Sequence, residues 1–254
     1  MMNQYKLSIC LPAFRVHLWE EFYKSINDSI GEYSWELIIV GPNEPSDFFK
    51  DKKNFKFLKD FGSPTRCAQI ATMLAEGELM TWASDDGIFT KNSLKECIEM
   101  KNKLNKEDIV IMRYTEGRSR TGSELPIDYW RAWHHPPLRM RHVPKDYSIS
   151  LLAMYNLEYF RELGGWDCRY EHLNFSVHDL AFRAQRNSSG LFFSPQTVLN
   201  CDWNPNEGDH KPVHEAYNFD LKYFEECYNQ EEFKVQIKID YNNWTKSPIK
   251  WRRF

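Results

Sequence analysis

The sequence lacks the features that mark three common classes of protein. No stretch approaches the roughly 20 consecutive apolar residues that a membrane-spanning helix requires. The formal net charge is −3, whereas dedicated nucleic-acid-binding proteins are usually strongly basic. The 6 cysteines are scattered and include no CxxC pair, which argues against a disulfide-rich secreted scaffold. The first residues also lack the basic region and cleavage site of a signal peptide. We therefore expect reduced thiols and a cytoplasmic location.

The composition nevertheless supplies enough apolar surface for a core. Of the 254 residues, 42% are hydrophobic and 27% are charged, a balance that is typical of a folded domain. This length fits one large domain, or one domain with a long accessory tail. Aromatic residues make up 15% and include 9 Trp, whose flat rings suit either sugar binding or an ordinary core. Composition alone leaves that choice open.

Strand and helix signals alternate through the first 112 residues. Short apolar runs predict strands at 7–11, 35–40, 55–58, 79–83 and 108–112. Helical spacing of apolar residues predicts helices at 17–30, 64–76 and 93–104. Gly77 is expected to stop the second of these helices. Such alternation predicts an α/β fold with a doubly wound, mostly parallel, Rossmann-like sheet.

The pattern changes after residue 112. Residues 113–147 are rich in Arg, His, Trp, Tyr and Pro and show no period, which predicts a long functional loop. It is either a ligand-binding lid, with Trp on sugar faces and Arg on acidic groups, or a packed Ω-loop. A strand is predicted at 148–154, and helices are predicted at 157–163, 177–185 and 216–228. For the basic, aromatic tail at 244–254 we favour packing onto the domain over self-association or contact with anionic lipid headgroups.

Two adjacent carboxylates, Asp85 and Asp86, follow the apolar strand predicted at 79–83. Ligands of open α/β sheets bind at the carboxyl ends of the strands. Adjacent carboxylates repel each other unless a cation neutralises them, and Mg²⁺ or Mn²⁺ commonly joins such groups to a diphosphate. The alternative is a plain turn, because Asp-Asp-Gly also favours turns.

A resemblance to a known family decides between these interpretations. The sequence resembles the opening half of family-2 glycosyltransferases of GT-A fold in three runs, LSICLPAFR, WELIIVGPNEP and TRCAQIATMLAEGELMTWASDDGIF. Two later segments, LGGWDCRYE and HDLAFRAQ, resemble the family's "GG-Phe-Asp" segment and its helix carrying "D-L-x-x-R". The matches follow the family order over about residues 6 to 190, which is more specific than any single motif.

The resemblance implies a metal-dependent transferase that moves a sugar from a nucleotide diphosphate donor, with UDP favoured, to a glycan or lipid-linked hydroxyl acceptor in polysaccharide or glycoconjugate synthesis. It implies a GT-A domain at 1–215, with a nucleotide-sugar half at 1–112 and an acceptor half at 113–215, followed by an extension at 216–254. The implied metal ligands for Mn²⁺ or Mg²⁺ are Asp85, Asp86 and His210. The implied donor-binding residues are Pro12, Ala13, Phe14, Arg15, Asn43, Glu44, Arg66, Ser84 and Asp86.

The sequence departs from the family at the catalytic base. The family has an Asp in the motif "E-D-x-D-L", and the matching position here is Val177, which cannot accept a proton. The transfer is expected to be inverting, and an inverting transfer needs a base near the acceptor hydroxyl. The candidates are Asp179, placed first, then His178 and Glu171. Asp179 also has an alternative role, because it is spaced for an i, i+4 ion pair with Arg183. A retaining mechanism would not need this base.

Two alternatives to the transferase are considered. Because Val177 replaces the usual base, the chain could be a non-catalytic protein that binds nucleotide sugars or glycans. The other alternative is a sugar nucleotidyltransferase. Such enzymes usually carry a glycine-rich loop after the first strand, and the segment LPAFRVHLWE contains no glycine, which disfavours this alternative.

Overall fold

The computed structural model describes residues 4–116, 125–127, 129–131, 147–201, 211–228 and 238–247. Within these ranges the chain forms an α/β fold. Its strands are β1 (Tyr5–Pro12), β2 (Trp35–Gly41), β3 (Phe55–Lys59), β4 (Gly77–Trp82), β5 (Gly87–Phe89), β6 (Ile109–Glu116), β7 (Leu125–Ile127), β8 (Tyr129–Arg131), β9 (Ser148–Ser150), β10 (Ala153–Asn156) and β11 (Leu191–Cys201). Its α-helices are α1 (Trp19–Ile30), α2 (Pro64–Met73), α3 (Ser93–Lys101), α4 (Leu157–Glu162), α5 (Leu173–Arg186) and α6 (Lys211–Tyr228).

The main sheet of the described chain has the order β3-β2-β1-β4-β10-β6-β11-β5, with β7 beside β6. Strands β1 to β4 are mutually parallel where they pair, and β11 is parallel to β6. The α/β class predicted from the sequence is confirmed. Within the described residues the main sheet is mixed, with four parallel and four antiparallel strand pairings. β10 is antiparallel to both of its neighbours, β4 and β6. The single strand predicted at 148–154 is instead two strands, because β9 leaves the main sheet to pair with β8.

Helix α1 covers one face of the parallel strands. Its apolar side chains recur at helical spacing, and the five that the sequence marks are all buried in the structure: Trp19, Phe22, Tyr23, Ile26 and Ile30. A 3-10 turn, Val16–Leu18, precedes the helix, which therefore begins two residues later than predicted. The spacing predicted the buried face because a helical residue and its neighbours three and four positions away share one side.

Helix α2 begins at the edge where β3 ends. Ser63 caps it by accepting a hydrogen bond from the Arg66 N–H at 3.2 Å, and Pro64 occupies the first turn, where its missing N–H costs nothing. The helix ends at Met73 rather than at residue 76 as predicted. Gly77 does not stop the helix but begins β4. A Cβ there would lie 2.5 Å from Ser8 Oγ, so glycine lets β4 approach β1.

A buried carboxylate joins the first three strands to the start of β4. Glu36 on β2 is fully buried and accepts hydrogen bonds from Ser8 Oγ and the Glu76 N–H, both at 2.6 Å. Lys56 on β3 neutralises it, with 2.9 Å between Nζ and Oε2. A buried charge is tolerated when it is paired and hydrogen-bonded in this way. The network fixes the strands whose carboxyl ends carry the candidate site.

The described C-terminal residues pack onto the domain. Gln69 of α2 donates to the Tyr241 carbonyl at 2.8 Å, and the Ile239 N–H donates to the Leu163 carbonyl at 3.2 Å. The Cys168 N–H donates to Asn243 Oδ1 at 2.7 Å. The segment 238–247 therefore packs onto the domain. It includes only the first four residues of the tail predicted at 244–254, because residues 248–254 lie outside the described chain. None of the described helices combines the length and apolar character that a membrane crossing demands.

Candidate functional site

The Asp pair lies in the turn between β4 and β5, where the parallel strands end. Asp85 is 4% exposed, and its Oδ2 accepts hydrogen bonds from the backbone N–H groups of Phe14 and Arg15 at 3.0 and 2.8 Å. Both donors belong to the loop that follows β1. Because β1 and β4 are parallel neighbours, their carboxyl ends meet, and this brings residues 70 positions apart into contact.

The Arg15 guanidinium adds a positive charge to the pair. Its NH1 donates a short hydrogen bond to Asp85 Oδ1 and lies 3.6 Å from Asp86 Oδ2. The side chains are largely buried, with exposures of 13% for Arg15, 5% for Asp85 and 9% for Asp86. Ion pairs in such a setting are weakly screened by salt. Both oxygens of Asp85 are therefore held by protein donors.

Asp86 differs from Asp85 in its hydrogen bonding. Its Oδ1 is buried and, among the residues that the structure describes, has no hydrogen-bond partner. Burial raises the pKa of the Asp86 carboxyl, while the charge of Arg15 and a hydrogen bond from Ser84 oppose the rise and Asp85 adds to it. A buried acceptor without a partner is costly unless a ligand or cation satisfies it.

The residues present fit a hard divalent cation. Mg²⁺ and Mn²⁺ prefer oxygen ligands, and Mg²⁺ is often held by one or two carboxylates while phosphates and water supply the rest. Within the described ranges, no cluster of three or more His, Cys, Asp or Glu side chains could hold a metal by itself. On this edge, Asp85 and Asp86 offer carboxylate oxygens that such a cation could take as ligands. His210, the third ligand implied by the resemblance, lies outside the described residues.

Most of the residues predicted to bind the donor lie at the carboxyl ends of β1 and β2. Asn43 Nδ2 donates to the Phe14 carbonyl at 2.8 Å, so it fixes the loop after β1. The exposed Glu44 pairs with Lys59 at 3.0 Å. A Cβ on Gly41 would lie 1.8 Å from the Ala13 carbonyl oxygen, so only glycine allows this close approach. The remaining predicted residues, Pro12 and Ala13, line the same strand end as Phe14.

Arg66 has mainly protein partners. It is 6% exposed, and its Nε and NH2 bind the Asp60 carboxylate at 3.0 and 2.9 Å. NH1 donates to the Trp244 carbonyl at 2.9 Å, and the guanidinium lies over the Trp244 ring at 4.8 Å. The structure thus places Arg66 between the end of β3 and the C-terminal segment. Its partner Trp244 is 178 residues away, and no local pattern in the sequence indicates that contact.

Asp179 is buried on α5, where it binds Arg183 and Tyr228. Its Oδ2 accepts from Arg183 Nε at 2.8 Å, and its Oδ1 accepts a short hydrogen bond from the Tyr228 hydroxyl. The i, i+4 pair that the spacing indicates is therefore present. Burial raises the pKa of Asp179, while the Arg183 charge and both hydrogen bonds oppose that rise. Arg183 is 1% exposed and also donates to the Leu163 carbonyl at 2.6 Å.

The Asp179→Asn variant is expected to lower the free energy of unfolding by about 3–5 kcal/mol, because it leaves the buried Arg183 charge uncompensated. Urea unfolding followed by circular dichroism measures the loss. The control is Glu20→Gln on α1, which breaks an i, i+4 pair with Lys24 in which the side chains are 47% and 61% exposed. Exposed pairs contribute little, so this variant should unfold like the parent protein. Equal effects for both variants would contradict the assigned role of Asp179.

The other two base candidates lie on either side of the start of α5. His178 is buried on the helix and packs edge-on against Phe175 and Phe224, with ring centroids at 6.2 Å in both cases. Glu171 precedes the helix. Its carbonyl accepts from Thr65 Oγ1 at 3.2 Å, and its N–H donates to Asp220 Oδ1 at 3.1 Å. Thr65 lies in the first turn of α2, so Glu171 lies on the same edge of the sheet as the Asp pair.

Comparisons with known proteins concern the fold. No family model and no curated protein matches the sequence. Solved structures do match it. S. aureus TarS 1–349 in complex with UDP has a TM-score of 0.58 at 14% identity, covering 89% of this chain and 67% of that one. The corresponding complex with UDP-GlcNAc has a TM-score of 0.56 at 14% identity, covering 89% and 68%. GalNAc-T7 with UDP, GalNAc and Mn²⁺ has a TM-score of 0.62 at 14% identity, covering 97% and 59%.

These neighbours are GT-A glycosyltransferases. The chain spans 59% of the GalNAc-T7 chain and 41% of the longer TarS chain in the crystal structure of S. aureus TarS, so it corresponds to part of each. The protein described here has the GT-A fold.

Proposed function

We propose that this protein is a glycosyltransferase that moves a sugar from a nucleoside diphosphate donor to a hydroxyl acceptor, with a divalent cation at Asp85 and Asp86. The observation that carries the proposal is the buried Asp pair at the carboxyl edge of a GT-A sheet, with Asp86 Oδ1 lacking a hydrogen-bond partner among the described residues. Similar structures contain UDP or UDP-GlcNAc, which supports a uridine donor.

The cation in this proposal is Mn²⁺ or Mg²⁺, held by Asp85 and Asp86, with His210 as the further ligand. When bound, it would neutralise the leaving diphosphate by electrostatic stabilisation. Mn²⁺ is preferred if His210 binds, because imidazole suits it better than Mg²⁺. The similar GalNAc-T7 structure contains Mn²⁺.

The donor is proposed to lie along the ends of β1, β2 and β4. Phe14 and Asn43, which hold each other through a 2.8 Å hydrogen bond, would contact the nucleotide base together with Pro12, Ala13 and Glu44. Ser84 and Asp86 would reach the ribose or the sugar. Arg66 is proposed to stabilise this edge of the sheet without contacting the donor. It binds both Asp60, at the end of β3, and the Trp244 carbonyl of the C-terminal segment.

For the base of an inverting transfer we propose Glu171. Asp179 is a poor base because each of its oxygens already accepts a hydrogen bond, one of them from a buried cation. His178 packs edge-on against two aromatic rings. Glu171 lies on the edge that carries the Asp pair, and its backbone is fixed by Thr65 and Asp220, so its position is well defined. A fixed position within hydrogen-bond reach of the acceptor is what general base catalysis requires.

The second candidate function is a protein that binds nucleotide sugars or glycans without catalysis. The observation that favours it is Val177, which occupies the family's base position and is buried within α5. Such a protein would keep the Asp pair and the donor pocket and would lack only the proton acceptor. Binding alone therefore cannot separate the two candidates, and product formation is the deciding measurement.

The test combines binding with product release. UDP and GDP are added with and without Mn²⁺, and the melting temperature of the protein is recorded. Because a ligand that binds only the folded state stabilises it, UDP is expected to raise the melting temperature in the presence of Mn²⁺ and much less in its absence. UDP-GlcNAc and UDP-GalNAc are then incubated with the protein, and released UDP is measured. A transferase should release UDP slowly by hydrolysis, whereas a binding protein should release none. Absence of any cation-dependent shift would contradict both functions.

The domain division belongs to the same proposal. Residues 1–112 would bind the nucleotide sugar, 113–215 would bind a glycan or lipid-linked acceptor, and 216–254 would form the extension. Helix α6 begins at Lys211, inside the proposed acceptor half, and the segment 238–247 packs against α2. A role in polysaccharide assembly, a cytoplasmic location and a membrane contact through 244–254 stay predictions from the sequence.

A further inference from the structure

Arg15 contacts the Asp pair in two different ways. Its backbone N–H donates to Asp85 Oδ2 at 2.8 Å, and its guanidinium donates to Asp85 Oδ1. The guanidinium also lies 3.6 Å from Asp86 Oδ2. With the Phe14 N–H at 3.0 Å, the backbone alone already fixes Asp85 on the loop after β1. The side chain adds a positive charge beside both carboxylates.

The place that the guanidinium occupies is also the place where a cation would bind the pair. A guanidinium and a divalent cation repel each other, and they do so strongly where side chains are 13% exposed or less. A cation that takes Asp85 Oδ1 as a ligand would lie beside the Arg15 guanidinium and would compete with it for the same carboxylate oxygen. Among the described residues, no group donates a hydrogen bond to Asp86 Oδ1 even with Arg15 in place, so the guanidinium does not complete the site.

We propose that Arg15 competes with the divalent cation for Asp85, and that the diphosphate of the donor relieves this competition by giving the guanidinium a new anionic partner. The inference rests on the proposed function. It adds that binding of the cation depends on binding of the nucleotide. Arginine is suited to the exchange because its planar fork binds carboxylate and phosphate in the same bidentate manner. Cation and nucleotide would then bind cooperatively, and each would raise the affinity of the other by the same factor.

The test uses the Arg15→Met variant, whose unbranched apolar side chain can keep the contact that Arg15 makes with the Phe14 ring, with the guanidinium carbon 5.3 Å from the ring centroid. Free Mn²⁺ is titrated with protein and measured by electron paramagnetic resonance, first without nucleotide and then with saturating UDP. Without nucleotide, Arg15→Met should bind Mn²⁺ about tenfold more tightly than the parent protein, since the guanidinium no longer repels the cation or competes with it for Asp85. The factor by which UDP raises Mn²⁺ affinity should fall correspondingly.

Two further variants make the result decisive. Arg15→Lys keeps the positive charge and should bind Mn²⁺ alone as weakly as the parent protein. Arg15→Gln is a second neutral variant, used in case Arg15→Met fails to fold as judged by circular dichroism. A merely structural role for Arg15 predicts the opposite sign, because a displaced loop would weaken Mn²⁺ binding. Unchanged or weaker Mn²⁺ binding by the neutral variants would overturn the inference.

The parent protein and Asp85→Asn separate this inference from the proposed function. If the parent binds Mn²⁺ in the presence of UDP, and Asp85→Asn does not, the cation site is supported whatever the Arg15 variants show. In that case, an unchanged affinity of Arg15→Met for Mn²⁺ contradicts only the proposed competition between Arg15 and the cation. If the parent protein fails to bind Mn²⁺ even with UDP, the cation site itself is wrong, and the competition falls with it.

Discussion

Replacing Asp85 with Asn is expected to abolish the cation-dependent binding of UDP and to lower kcat/KM for the nucleotide sugar by about 10³ or more. Asn keeps the size of the side chain and removes its charge, so the divalent cation loses a ligand and Arg15 loses its ion-pair partner. A cation at a leaving diphosphate supplies several kcal/mol of stabilisation, and each 1.4 kcal/mol corresponds to about tenfold in rate. Melting temperatures with UDP and Mn²⁺, and UDP release, measure the two losses.

The matched control for this experiment is Asp108→Asn. Asp108 also lies in a turn beside a strand, where it accepts from the N–H groups of Asn105 and Gly190, both at 3.0 Å. It precedes β6 and so lies at the opposite edge of the sheet from Asp85. The control should lose some stability and keep its response to UDP and Mn²⁺. If Asp85→Asn retained the cation-dependent shift, the assignment of the Asp pair as the cation site would be wrong.

Local patterns in the sequence were sufficient to predict the framework of this site. The apolar runs before Pro12 and before the Asp pair predict buried parallel strands, and parallel strands end at a common edge. That edge is where ligands bind in open α/β sheets. The positions of Phe14, Asn43 and Asp85 on one edge therefore follow from strand boundaries alone, and the hydrogen bonds from Phe14 to Asp85 and from Asn43 to Phe14 agree with this.

The side-chain contacts of these residues could not be predicted from the sequence, because their partners lie in distant parts of the chain. The resemblance implies that Arg15 binds the donor, and it does not indicate that the Arg15 guanidinium binds Asp85, 70 residues away. The available signal was that Arg15 is the cation nearest to the end of the first strand. Arg66 reaches Trp244 across 178 residues, and Asp179 reaches Tyr228 across 49. Nothing in the periodicity of either partner specifies such contacts, which depend on how the completed elements pack.

The sequence pattern also could not predict that β10 is antiparallel to its neighbours. A short apolar segment predicts a strand, and its direction depends on the connection that precedes it. The connection here is the long stretch from 117 to 147, which shows no period. β10 lies between β4 and β6 and is antiparallel to both. The Trp82 Nε1–H at the end of β4 donates to the Leu151 carbonyl just before β10, at 2.8 Å. Trp82 and the segment before β10 thus meet near the Asp pair.

Glu171→Gln is expected to lower kcat for glycosyl transfer by about 10²–10⁴, the usual contribution of a general base. The amide keeps the size of the side chain and cannot accept the acceptor's proton. The variant keeps the backbone contacts with Thr65 and Asp220, and circular dichroism checks that the fold is retained. The melting temperature and the affinity for UDP with Mn²⁺ should stay near those of the parent protein. Product formation from UDP-GlcNAc or UDP-GalNAc, with and without added acceptor sugars, measures kcat.

Asp179→Asn provides the contrasting variant, since it is expected to lose stability through Arg183 while any surviving folded protein keeps its turnover. Glu171→Gln should therefore lose kcat and keep its stability, whereas Asp179→Asn should lose stability and keep its kcat. A normal kcat in Glu171→Gln would mean that another group accepts the proton or that none is needed. Proton NMR of the anomeric centre of the product then distinguishes these outcomes, because a retained configuration indicates a retaining mechanism, and an inverted one indicates that the base lies elsewhere on this edge.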